Sequence, residues 1–190
     1  MTDTLIGAWI VVCLGLLATR RLRGESTAER APGTWLGIVV QALGFSAIWT
    51  LRQGAAPLQA LAPRLVAAAA DLLGLASVLL AVAAIWTLGR QWSVVGRLLP
   101  DHSLITRGPY ALVRHPIYTS MLGMLLATGL ALSNAAGLAA GLSLFVLGTW
   151  LRVHYEEKLL RARLATDYDA YATRVPAFIP FPRPRAPKVR

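Results

Sequence analysis

Five long apolar runs limit what this chain can become. They occupy roughly residues 4–19, 35–51, 65–88, 117–132 and 135–151. A helix needs about 20 apolar residues to cross the hydrocarbon core of a bilayer, and a helix satisfies its backbone polar groups internally, as lipid demands. Soluble proteins rarely repeat such runs five times. Composition agrees: 56% of the 190 residues are hydrophobic and only 15% charged, whereas soluble domains carry about 25% charged residues. The expectation is an all-α integral membrane protein of about five transmembrane helices.

Positive charge orients such a chain. The gap after the first run holds Arg20, Arg21, Arg23 and Arg30; the gap after the third holds Arg90, Arg97, Arg107 and Arg114. All remaining Lys and Arg except Arg52 and Arg64 follow the fifth run, from Arg152 to Arg190. Lys and Arg concentrate on the cytoplasmic side, so the N-terminus is expected outside and the C-terminus inside. A net charge of +10 is thereby accounted for by membrane orientation. Nucleic acid is excluded as a partner, because the basic tail lacks the aromatic interleaving of a stacking platform. Asp3 and the absence of a basic stretch before the first run read as a retained span, not a cleaved signal. Cys13 stands alone, so no disulfide is expected within the chain.

Smaller features refine the layout. Ser133-Asn134 is a turn-forming pair that predicts a tight helical hairpin over 117–151. Gly137 and Gly141 form a GxxxG pair suited to close helix packing in lipid. Asp71 is an acid inside a span, expected near the outer interface. The closing "PFPRPRAPKVR" is expected to lie extended against anionic headgroups.

The two long polar segments then face the same compartment, and chemistry belongs there. In "DHSLITRGPYALVRHPIY", Gly108-Pro109 breaks any helix, and Pro116 suits the first turn of the fourth span. His115 falls at the N-cap and Tyr118 in the first turn. A helix N-terminus presents free N–H groups and a positive dipole end, which suits an anionic ligand group; an interfacial belt of Tyr, His and Arg is the alternative. In "LRVHYEEKLLRARLATDYDAYATRVPAFIPF", Arg152 and Glu156 share one helix face at spacing four. They form either a structural ion pair or a divided grip, the acid on a cationic ligand and the guanidinium on an anionic one. Tyr168 and Tyr171 are placed to fold back over the loop, and His154 is out of phase with Arg152 and reads as interfacial. No HExxH or Cys/His cluster supports a metal site, no GxSxG elbow a serine hydrolase, and no GxGxxG or Walker motif a nucleotide fold.

Taken in order, "HSLITRGPY", "RHPIY" and "EEKLLRARLATDYDAYATRVPAFIP" resemble the isoprenylcysteine carboxyl methyltransferase family of membrane enzymes. The likeness covers about 88–182; the first two spans match only in hydrophobicity. It divides the chain into three N-terminal helices (1–88) and a catalytic half (89–190). The resemblance implies S-adenosylmethionine as methyl donor, in a cytoplasmic pocket built from the 89–116 loop and the C-terminal helix. Donor contacts carried over by position are His102, Ser103, Leu104, Ile105, Tyr110, His115, Pro116, Ile117, Tyr118 and Glu156. Arg152 matches the arginine assigned to the acceptor's carboxylate. Five spans are fewer than in the eukaryotic members, which implies a short, prokaryote-like enzyme of a bacterial inner membrane, acting on a lipophilic, isoprenoid-like acid drawn from the bilayer. Alternatives are an N-methyltransferase for phospholipid or other amines, where His115 or Tyr118 must take a proton, and a noncatalytic membrane scaffold or transporter.

Overall fold

A computed structural model describes residues 7, 29–30, 33–51, 57–92, 97–98 and 103–180. The first apolar run, apart from residue 7, lies outside the described residues, as do His102 and the basic tail 181–190. The described chain is helical: α1 (Thr34–Thr50), α2 (Pro63–Leu88), α3 (Pro116–Leu132) and α4 (Ala135–Arg174). Two-residue strands, Glu29–Arg30 and Arg97–Leu98, make a minimal antiparallel ladder.

Local chemistry sets the helix starts. Pro63 and Pro116 occupy first-turn positions of α2 and α3, where the missing N–H costs nothing. Asn134 caps α4: its side-chain oxygen accepts from the Gly137 N–H at 2.9 Å, and its amide nitrogen donates to the Leu51 carbonyl at 2.7 Å. Ser133 in turn accepts from Leu58 N at 2.9 Å, in the short 3-10 turn Leu58–Ala60. The Ser133-Asn134 turn is therefore as tight as expected.

Packing departs from the expected hairpin. α4 lies along α1 and α3 along α2, while α3 and α4, though joined by two residues, touch each other far less. Glycine explains the first pairing. A Cβ at Gly44 would sit 2.8 Å from the Gly141 carbonyl oxygen, and one at Gly148 would sit 2.7 Å from that of Gly37. The two helices run antiparallel with backbones in contact, which only glycine permits. Ala70, Ala127 and Ala131 play the same role between α2 and α3. Ile48, Leu125 and Phe145 join the two pairs.

All four helices thus share two ends. Thr34, Leu88, Pro116 and the middle of α4 lie at one; Leu51, Pro63 and Ser133-Asn134 lie at the other. Asp71 is two turns into α2 from this second end, half-buried, and its Oδ1 has no hydrogen-bond partner among the described residues.

Two helices, α2 and α4, are long and apolar enough to cross a membrane; α1 and α3 are apolar but shorter. Only 28% and 33% of the apolar windows in α2 and α4 are buried. A soluble core helix would be mostly covered, so an apolar surface turned outward on this scale calls for lipid. Trp35, Trp86 and Trp150 are exposed near the end that holds Arg152, and Trp49 near the other, the positions of interfacial aromatic anchors.

Two segments beyond the spans bend sharply. Gly108-Pro109 does more than stop a helix: it begins a 3-10 turn, Gly108–Ala111. Gly108 has φ +59°, and a Cβ there would lie 2.9 Å from Thr87 Oγ1. In α4, Ala165 leaves helical geometry at φ +27° and ψ −105°. Arg161 Nε consequently reaches Asp169 Oδ1 at 3.1 Å, whereas eight residues of straight helix rise about 12 Å.

Candidate functional site

Two polar clusters meet at the first end of the bundle, built on consecutive acids of α4. Glu156 belongs to one and Glu157 to the other. Adjacent helical residues point about 100° apart, so each carboxyl looks toward a different neighbour.

The Glu156 cluster sits where α4 leaves its apolar stretch. Arg152 is 6% exposed, unusually covered for a cation. Its Nη1 donates to Gln41 Oε1 at 2.8 Å, and Gln41 Nε2 donates to Thr149 Oγ1 at 2.7 Å. The guanidinium stacks 4.7 Å over the Tyr118 ring, and its Nη2 stands 4.0 Å from Glu156 Oε1. Tyr118 completes the group by donating its hydroxyl proton to Glu156. A close approach makes room: a Cβ at Gly37 would strike the Arg152 side chain at 2.4 Å.

The Glu157 cluster ties α4 to the loop before α3. Glu157 Oε1 accepts from Arg114 Nη2 at 2.9 Å and lies 3.0 Å from His115 Nε2; Oε2 accepts from Arg161 at 3.0 Å. Burial pushes this carboxyl upward, but the His115 hydrogen bond and the Arg114 charge prevail and hold it at about 2. Glu157 is therefore ionised, and His115 Nε2–H is the donor between them.

A strap of chain closes over the Glu157 cluster. Arg114 N donates to Pro176 O at 2.8 Å and His115 N to Ala177 O at 3.0 Å. Arg114 Nη1 reaches the carbonyls of Ala172 and Val175, and Thr119 Oγ1 donates to Phe178 O at 3.1 Å. Tyr171 donates to the Tyr110 carbonyl at 2.6 Å, and burial pushes its hydroxyl up to about 12. Tyr110 and Tyr168 are pushed up as well, burial first, followed by Tyr171 and then Glu156 for Tyr110 and by the Glu157 charge for Tyr168. These phenols stay protonated, and that of Tyr171 serves as a donor.

At the same end of the bundle, an open cleft of about 520 Å³ separates the end of α2 from the 103–107 loop. Leu104, Ile105 and Trp86 give it apolar walls; Gln91 and Ser103, joined at 2.9 Å, give it a polar rim. Its size falls within the range of about 300–1,000 Å³ usual for small-molecule sites.

The expected residues are distributed as follows. Arg152, Glu156, His115 and Tyr118 come together, linked through Tyr118, whose ring centroid lies 5.8 Å from that of His115. Ser103, Leu104 and Ile105 line the cleft. Pro116 is fully buried and Ile117 half-buried within α3, so Pro116 shapes the site without facing it. Tyr110 is buried under the strap. His115 is the N-cap residue of α3, but its ring makes no capping bond and turns to Glu157. His154 is exposed and stacks on Trp150. Sequence reasoning missed Gln41, Arg114 and Glu157. A glutamine inside an apolar run was one available signal, and the spacing of four between Glu157 and Arg161 was another.

Residues 70–162, just under half of the chain, match the isoprenylcysteine carboxyl methyltransferase family. A probable protein-S-isoprenylcysteine O-methyltransferase of Oryza sativa subsp. indica is 36% identical over 104 residues, 52% of each chain. Protein-S-isoprenylcysteine O-methyltransferase B of Arabidopsis thaliana is 33% identical over 104 residues, 52% of this chain and 51% of its own. A cobalt-zinc-cadmium resistance protein of Cupriavidus metallidurans is 36% identical over 98 residues, 50% of this chain and 44% of its own. The chain spans about half the length of the curated relatives it matches. The matched segment carries His115, Tyr118, Arg152, Glu156 and Glu157; Gln41 and the strap fall outside it.

Proposed function

We propose, from the match of residues 70–162 to the isoprenylcysteine carboxyl methyltransferase family, that the chain is a membrane methyltransferase. The methyl passes from S-adenosylmethionine to the carboxylate of a lipophilic, isoprenoid-like acceptor at the cytoplasmic face of the bilayer. The observation that carries this reading is the convergence of Arg152, Tyr118 and Glu156 at the edge of the apolar bundle.

The donor's chemistry fits the residues present. Bound S-adenosylmethionine would supply an electrophilic methyl group on a positively charged sulfur. The cleft offers Leu104, Ile105 and Trp86 as apolar walls and Ser103 and Gln91 as polar partners. Glu156, with the Tyr118 ring beside it, offers a cation the negative charge and aromatic face that it prefers.

Arg152 provides the complementary half. A guanidinium binds a carboxylate through directional, charge-assisted hydrogen bonds, and this one is already held by Gln41 and Tyr118. With the acceptor oxygen deprotonated from the start, the chain needs no general base. Burial strengthens both grips, since electrostatic attraction grows as water is excluded. Methyl transfer from a cation to an anion cancels two charges, so a partly dehydrated site favours it. An amine acceptor would first have to lose a proton, and the hydroxyl of Tyr118 is committed to Glu156.

Detergent-purified protein, radiolabelled donor and an S-prenylated N-acetylcysteine provide the test. Label released by mild base indicates the methyl ester. Base-stable label on lipid headgroups would replace the carboxylate by an amine. Absence of donor binding by folded protein would end the methyltransferase reading.

A further inference from the structure

Gln41 lies on α1, outside the family match, and is 2% exposed. A buried primary amide in an apolar helix carries a desolvation cost unless both its ends are satisfied. Both are. Its oxygen accepts from Arg152 Nη1 at 2.8 Å, and its nitrogen donates to Thr149 Oγ1 at 2.7 Å. Thr149 is one turn before Arg152 on α4, so the amide spans the helix face from which the guanidinium projects. Gly148 brings the backbones close enough for this: a Cβ there would lie 2.8 Å from Gln41 N.

We propose that Gln41 is a positioning residue for acceptor recognition: it fixes the Arg152 guanidinium over Tyr118 without neutralising it. This rests on the reading of Arg152 as the carboxylate's partner. A neutral amide is the group that can do this. It takes one N–H of the guanidinium and leaves the positive charge intact for an incoming anion. A carboxylate at the same place would hold Arg152 equally well but cancel the charge that the acceptor needs. A shorter or apolar side chain would leave the cation free to swing toward Glu156, now 4.0 Å away. The α1–α4 pair, supplied partly by chain outside the matched half, then governs which acceptors are accepted.

The discriminating variant is Gln41→Glu, which keeps the volume, the reach and a partner for Arg152. We expect acceptor KM to rise on the order of tenfold or more, with donor affinity unchanged. Gln41→Leu should raise acceptor KM to a similar degree, again sparing the donor. A merely structural glutamine predicts the opposite: Gln41→Glu would keep the wild-type acceptor KM, and Gln41→Leu would lose donor binding, kcat and thermal stability together. Either result overturns the proposal. A thermal-unfolding double-mutant cycle of Gln41→Leu with Arg152→Met, read in detergent, needs no turnover. Non-additive losses support the contact, and additive ones refute it. If the wild type transfers no methyl to any prenylated acid, the function proposed above fails, and this cycle alone decides the pairing.

Discussion

Glu157 gathers three donors from two parts of the chain, while Glu156, one residue earlier, serves Arg152 and Tyr118. Only half of this division was legible in the sequence. Arg152 and Glu156 stand at spacing four, so helical geometry alone joins them. Glu157 draws Arg114 and His115 from more than forty positions away, and no local pattern announces such a contact. Its ionisation gives a test. A folded pKa of about 2 lies below the ordinary 4.5, so the stabilisation is complete above that ordinary value and is lost as pH falls toward 2. Thermal midpoints measured in detergent from pH 6 to 3 should therefore fall steeply for the wild type and less so for Glu157→Gln. At neutral pH that variant should be less stable by about 2 kcal/mol, because an amide offers Arg114, His115 and Arg161 one neutral acceptor oxygen in place of two charged ones. Tyr118→Phe makes a separate point: it keeps the ring beneath Arg152 but frees Glu156 of its hydroxyl partner. Donor affinity in a calorimetric titration should fall several-fold while the protein stays folded, a loss on the scale of one charge-assisted hydrogen bond.

Helix existence and helix partnership were unequally readable. Apolar runs, Pro116 at a helix start and the Ser133-Asn134 turn marked α3 and the start of α4 within a residue or two, while α4 runs on past the apolar stretch to Arg174. The partner of the GxxxG pair was not marked, because short connections favour neighbours in sequence, and those helices instead lie against α2 and α1. Small residues decided the matter: Gly37 and Gly44 face Gly148 and Gly141 across a contact no side chain can enter. Gly141→Leu should separate α1 from α4 and destabilise the protein by about 3 kcal/mol, an overpacking cost, visible as a lower unfolding midpoint. Since α1 carries Gln41, acceptor recognition should suffer in the same variant. The loop has its own dependence on glycine. Gly108→Ala places a Cβ at φ +59° and 2.9 Å from Thr87, a strain of about 1–2 kcal/mol. Donor binding should weaken as the 103–107 loop shifts away from α2.

At the scale of the molecule, the bundle has a polar end and a bare one. Arg114, His115, Arg152 and both glutamates crowd the first; the turn around Ser133-Asn134 and the start of α2 make up the second, about 25 Å away along a 17-residue helix. On the proposed reading, the bias of Lys and Arg toward the cytosol turns this polar end to the inside of the cell. The ends can be told apart chemically. With Cys13 changed to Ser, single cysteines at Arg163 and Thr173 near the strap and at Ala136 beside the turn are all exposed. In sealed, right-side-out vesicles, a membrane-impermeant maleimide should label the Ala136→Cys protein at once and the Arg163→Cys and Thr173→Cys proteins only after permeabilisation. Inverted vesicles should reverse the order. Equal access to both ends from one side would mean that α3 and α4 do not cross the bilayer, and the apolar surfaces of Trp86, Leu72 and Leu79 would then need a protein cover in place of lipid. Labelling of the strap from outside would keep the spans but turn the site away from the cytosolic donor pool, and with it the proposed reaction would lose its source of methyl groups.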